Sequence, residues 1–140
     1  MKPRQRHKAR RLALQAVYQW QIAKTPITDL TKQFVEENDP HKIDLGYFQH
    51  LLNGIVKEVE ALDEKIGTLS NRPLKQLDPI ELAVLRMATY ELQHELGTPY
   101  RVIINEALEL NKTFGTEEGF KFVNAILDKI AKQLRSAETE

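Results

Sequence analysis

The sequence predicts an all-α domain of six or seven helices joined by short connections. Three observations carry that expectation. Apolar residues recur at spacings of three and four, the period of a helix face. Acid–proline and Thr-Pro pairs mark helix starts, and Gly97 and Gly115 sit where helices end. No run alternates apolar and polar residues as a half-buried strand would, and no Asn-Gly type hairpin joins such runs.

The elements follow in order. Ala13, Val17 and Trp20 mark a first helix that ends before Pro26, and a shorter helix follows near residues 27–37. In residues 44–69, Phe48, Leu52, Ile55, Val59, Leu62, Ile66 and Leu69 draw one stripe down a long helix. Asp44 is its N-cap, because its carboxylate can accept a free amide of the first turn. Asn71 to Pro73 stops it, since the residue before a proline avoids the α region. The segment 71–77 is the expected separator of two helical subdomains.

Asp78-Pro79-Ile80-Glu81 then supplies a capping acid, a proline at the first helical position and a Glu three residues after the cap. The run LAVLRMATYELQHEL that follows is apolar around most of its circumference. Leu82, Leu85, Leu92 and Leu96 lie on one side, Val84, Met87 and Ala88 on another, which marks a central helix. Gly97 is its expected C′ residue. Thr98-Pro99 starts the next helix, with Ile103, Ala107, Leu110 and Phe114 as its stripe and Gly115 as its end. Thr116-Glu117-Glu118 opens the last one, its acids complementing the positive end of the helix dipole. The stripe there is Val123, Ile126 or Leu127, Ile130 and Leu134, and residues 136–140 read as a frayed tail.

Composition narrows the function. The 140 residues suffice for one domain with a real core, and the formal net charge is zero. That charge is unevenly placed. The stretch KPRQRHKARR opens the chain, the first twelve residues carry +6, and no acid appears before Asp29, which leaves the remainder at −6. A basic arm on a mildly acidic body points to a localised anion contact. The absence of cysteine excludes disulfides, thiolate zinc sites and thiol nucleophiles. Gln15, Gln19 and Gln21 break the run after the arm, so it is no signal peptide, and no apolar run approaches the roughly 20 residues of a membrane span. A soluble, cytoplasmic protein is expected.

Catalysis is not expected. His7, His41, His50 and His94 form no H-x-x-x-H pair, the one E-x-x-H spacing (Glu91 and His94) has no second such motif to complete a metal site, and no phosphate-binding or nucleophile motif is present. Glu106 with Glu109, and Glu91 with Glu95, share helix faces, but at these spacings acids ordinarily form a solvated face. No cofactor is implied.

The arm is the better clue. One reading is a solubilising tail, and the other is phosphate binding, for which the planar fork of arginine is suited. Arg4, Lys8 and Arg11 fall at i, i+4 and i+7, so an arm ordered as helix would present a cationic stripe. Without a ligand, mutual repulsion should keep it loose. Lipid is disfavoured, since Leu12 and Leu14 are the only large apolar residues nearby. Phe122 lies off the main stripe of its helix, beside Lys121. It is either a core residue or an exposed ring that stacks on an unpaired base. Tyr18 and Glu81 look partly exposed, on an ordinary surface or a partner contact.

Three stretches go further. ARRLALQAVYQW near the front, LDPIELAVLRMATYEL in the middle and PYRVIINEALELNKTFGTEEGFKFVNAILDKI near the end together resemble the NusB family of bacterial transcription antitermination factors. The likeness covers nearly the whole chain, as a single NusB-like domain over residues 1–140 with 1–12 its basic arm. It implies two small packed helical bundles and no catalysis. It implies pairing with the ribosomal protein NusE, binding of boxA RNA from rRNA operon leaders, and read-through by RNA polymerase in an antitermination complex with other Nus factors. By position, Arg4, Arg6, His7, Lys8, Arg10 and Arg11 match the family's RNA-binding arm. Lys121 and Phe122 match its second RNA patch, with Glu118 at the acidic site beside it. Tyr18 and Glu81 match the surface that receives NusE. Four departures stand out: Ala125 where glycine is common at a tight helix contact, Asn111 for a usual alanine, Glu118 for aspartate, and Gln5 and His7 among the arm's basic residues. A free chain of this kind is expected to be a monomer or weak homodimer.

A DNA-binding helical protein is one competing reading, which comparing single-stranded RNA with duplex DNA of matching sequence would separate, and two others remain. One is a protein-only helical adaptor whose basic arm is incidental. The other is the NusB-like domain of an rRNA methyltransferase, although the chain ends soon after its last helix, without room for a cofactor domain.

Overall fold

The computed structural model describes residues 3–139, so Lys2 of the arm and Glu140 of the tail lie outside the described residues. All regular structure among them is helical. They divide into two compact units, one ending at Lys57 and the other beginning at Glu58. The division therefore does not fall in 71–77, where the proline-containing breaker suggested it.

The first unit holds α1 (Pro3–Ala23), α2 (Ile27–Glu36) and α3 (Leu45–Lys57), each packed on the other two. Ala9, Ala13, Ala16 and Val17 of α1 are fully buried, as are Leu30 of α2 and Phe48, Leu51, Leu52 and Ile55 of α3. Phe34 and Phe48 meet with ring centroids 5.7 Å apart. α1 ends at Ala23 because Lys24 turns left-handed, with φ 58°. Asp44 caps α3 as expected, its carboxylate accepting from the Tyr47 amide at 3.0 Å.

The second unit holds α4 (Val59–Leu69), a 3-10 turn at Leu74–Gln76, α5 (Pro79–His94), α6 (Tyr100–Phe114), α7 (Glu117–Leu134) and the single turn α8 (Ser136–Thr139). The expected long helix over 44–69 is thus two helices. Glu58 leaves helical geometry at φ −103°, ψ 15°, with its carboxylate 2.7 Å from His94 Nε2 of α5. The sequence period of the stripe carries across the break, with Ile55 fully buried in the first unit and Leu62 and Ile66 fully buried in the second, so periodicity could not register it.

α5 is central, packed on α4, α6 and α7, and ten of its sixteen residues are buried. Asp78 caps it by accepting from the amides of Ile80 and Glu81 at 2.8 and 3.4 Å. Arg86 of α5 grips Asp63 of α4 through two hydrogen bonds of 2.8 Å. Glu91 is 1% exposed, so it and Glu95 do not form a solvated face. The helix stops at His94, short of Gly97, and no described glycine has a positive φ. Leu96, placed by its spacing on the apolar side, lies beyond that end and is 69% exposed.

α6 ends at Gly115 and α7 starts at Thr116, whose hydroxyl accepts from the Gly119 amide at 3.0 Å. Ala125 is exposed rather than at a tight contact. Nor is the segment from Ser136 to Thr139 frayed. Arg135, 4% exposed, donates to the carbonyls of Leu92, Glu95 and Thr98 and to the Glu138 carboxylate. Glu138 in turn accepts from the Tyr100 amide at 3.1 Å, which caps α6. That amide first, and then Arg135, hold the Glu138 carboxyl below the usual carboxylate range. Arginine donors thus satisfy carbonyls that a left-handed glycine cap would have served.

Candidate nucleic-acid and partner interface

The basic arm is the start of α1, not a loose tail. Local ties explain why repulsion does not unravel it. The Gln5 carbonyl accepts from the Asp44 amide at 3.2 Å, and Gln5 Nε2 donates to the His41 carbonyl at 2.9 Å. Gln5, a departure among the basic residues, is therefore the arm's anchor. One turn apart, Arg6 and Arg10 place their guanidinium carbons 4.1 and 5.5 Å from the centroid of the Tyr47 ring. Such cation–π contacts contribute about 0.5–2 kcal/mol each, more as the cation is desolvated.

Helix geometry thereby sorts the cations. Arg6 and Arg10 turn toward α3, and Arg10 is only 3% exposed. Arg6 Nε is buried with no hydrogen-bond acceptor. Arg4 and Arg11 are exposed and Lys8 half-buried, which realises the i, i+4, i+7 stripe, while His7 is half-buried. No acid occupies the first turn of α1, so these cations add to the positive pole of the helix dipole. Further along, Tyr18 is 37% exposed, and Ile22, one turn on, is 57% exposed. Ile22 was not singled out from sequence, although its i+4 spacing from Tyr18 was there to be read.

The second unit gathers Glu81, Glu118, Lys121 and Phe122 with a residue that sequence reasoning missed, Arg72. Glu118 and Lys121 are exposed on α7, and Phe122 is half-buried. The Arg72 guanidinium carbon lies 4.0 Å from the Phe122 ring centroid, and its NH2 group lies 3.6 Å from Glu81 Oε1. A serine turn fixes Arg72: the Ser70 hydroxyl donates to its carbonyl at 2.7 Å and accepts from its amide at 3.1 Å. The sequence showed Arg72 only as part of a helix breaker.

Glu81 is 7% exposed, so the expected partial exposure does not hold. The bare backbone of Gly119 admits its carboxyl, since a Cβ there would stand 3.0 Å from Glu81 Cδ and Oε2. Glu81 Oε1 is buried and accepts no hydrogen bond, and the Arg72 ion pair is its nearest relief. Burial pushes the Glu81 carboxyl above the usual range. Asp78 adds to that rise, Arg72 opposes it and Glu118 adds again.

Tyr18 and the arm thus belong to the first unit, and Glu81, Glu118, Lys121 and Phe122 to the second. Among the described residues no group of three or more metal-ligating side chains converges, and no helix is long and apolar enough to cross a membrane.

Fold and site together define an all-helical protein whose chemistry is a cationic helix start and an arginine-covered aromatic ring. Residues 7–132 match the NusB family. A transcription antitermination protein NusB from Marinobacter nauticus is 48% identical over 134 residues, 96% of this chain and 85% of that one. The protein of that name from Idiomarina loihiensis is 49% identical over 135 residues, 96% of this chain and 97% of its own. The chain belongs to the NusB family. Among solved structures, NusB of T. maritima superposes with a TM-score of 0.81 at 33% identity, covering 94% of this chain and 92% of that one. A chain from a crystal structure of antitermination factors NusB and NusE in complex with dsRNA gives 0.84 at 26% identity, over 94% of this chain and 99% of its own. These relatives are named as antitermination factors, not as enzymes.

Proposed function

We propose that this chain is a cytoplasmic, non-catalytic transcription antitermination factor. It pairs with NusE, binds single-stranded boxA RNA of rRNA operon leaders, and helps RNA polymerase, in a complex with other Nus factors, to read through. Free of partners, it is a monomer or weak homodimer. The observation that carries the reading is a preformed helix start with Arg4, Lys8 and Arg11 turned outward, in a chain of the NusB family. The crystallised complex of antitermination factors NusB and NusE with dsRNA supports the NusE and RNA parts of it, not the single-stranded boxA target.

A preformed cationic stripe supplies affinity that falls with salt and carries little sequence information. Sequence must then be read by bases splayed from a single strand, or by the partner. A second RNA-binding surface on NusE would raise affinity through effective concentration. Tyr18 and Ile22 offer an exposed apolar pair on α1 for that partner.

The test is a salt titration of binding to a short boxA-like RNA, with and without NusE. Arg4, Lys8 and Arg11 are the positions to replace by alanine, because Arg6 and Arg10 also pack on Tyr47. If all three contact phosphate, the triple variant should lose about 2 from the slope of log affinity against log salt. NusE should tighten binding of the wild type. An unchanged slope, or equal binding of scrambled RNA with NusE present, would favour the protein-only adaptor.

A further inference from the structure

We propose that Arg72 is the stacking platform of the second unit. An unpaired RNA base lies on its guanidinium, Phe122 backs that guanidinium, and Glu81 acts from inside as the positioning residue. The proposal rests on the RNA-binding reading above and names a contact which that reading lacks.

Three observations converge. The Arg72 guanidinium already lies over the ring of Phe122, with its carbon 4.0 Å from the centroid. A base approaching that covered face meets the arginine first. The Arg72 side chain is 44% exposed, whereas the Glu81 side chain behind it is 9% exposed. The cation therefore faces solvent on one side and is held on the other. Finally, Glu81 Oε1 is buried without a hydrogen bond, 3.6 Å from Arg72, and this is an unmet demand that keeps the cation from swinging away.

Guanidinium planes stack on unpaired bases as aromatic rings do, and they also carry donors for a neighbouring phosphate. Ser70 and Pro73 stiffen the backbone on either side of Arg72, so less ordering is left for the moment of binding. Lys121, exposed beside Phe122, supplies a second positive charge to the same strand. Glu81 then acquires a role that needs no protein partner, since it aims the platform.

The experiment uses the full chain and two probes of equal length, a boxA-like single-stranded RNA and a fully abasic oligonucleotide. Arg72→Lys keeps the charge and loses the plane. It should bind the RNA about tenfold more weakly and the abasic strand as wild type does. Glu81→Gln removes a negative charge, so a purely electrostatic role would tighten RNA binding, whereas loss of aim should weaken it in the absence of NusE. Melting curves confirm that each variant folds. Arg72→Lys binding RNA as wild type, equal losses on both probes, or tighter binding by Glu81→Gln would overturn the proposal. If the wild type takes up no RNA at all, the RNA-binding reading falls and the platform with it. If wild type binds and Arg72→Lys matches it, only the platform falls.

Discussion

Arg135 shows how much one side chain can hold. Its guanidinium serves three backbone carbonyls and one carboxylate from a site that is 4% exposed. Arg135→Ala leaves those carbonyls without their donor, and a loss of about 3 kcal/mol is expected in urea denaturation. Arg135→Lys should recover little, since an ammonium cannot span the same acceptors. Glu81 makes the opposite case. Its carboxyl holds a proton more tightly folded than unfolded, because burial penalises the charged form. Above the folded value that is a cost to stability, and the cost is relieved as pH falls through that value toward the ordinary carboxylate range. Glu81→Gln should therefore raise the urea midpoint at neutral pH, with the gap over wild type closing on acidification. Removal of a site residue would stabilise the chain, the usual sign that a residue is kept for something other than folding.

At the scale of elements, helix ends decide more than helix middles. α1 closes on Lys24 in the left-handed region, where a β-carbon is crowded. Lys24→Gly should stabilise the first unit by about 1 kcal/mol, read as a shift in denaturation midpoint. Most starts were legible in the sequence: Asp44, Asp78 and Thr116 all accept amides of the helices they precede. The missed ends share one cause. The break at Glu58 and the stop at His94 involve Glu58, His94 and Arg135, side chains that find acceptors or partners 36 to 43 residues away. A local pattern holds no trace of a partner so distant. The same limit hid Arg72, whose importance comes from Phe122 and Glu81 rather than from its neighbours in sequence.

For the whole molecule, the helical class and nearly every core stripe could be read from period and punctuation alone. The resemblance supplied the candidate site, and the structure redistributed it. Arg6 and Arg10 turn inward, Arg4, Lys8 and Arg11 outward, and Glu81 moves from surface to interior. Zero net charge concealed the feature with the widest consequence, the crowding of cations at the positive pole of α1 with no acid in its first turn. Salt shortens the reach of that repulsion, from about 10 Å at 0.1 M to about 3 Å at 1 M. Added sodium chloride should therefore raise the melting temperature of the free chain, and a melting temperature that falls would show the repulsion to be already neutralised within the fold. The same salt weakens any hold on nucleic acid. Under the proposed RNA binding the two properties are antagonists in one buffer: a lysate prepared at low ionic strength would yield this protein with cellular RNA still attached, and a high-salt wash would give a cleaner and sturdier preparation.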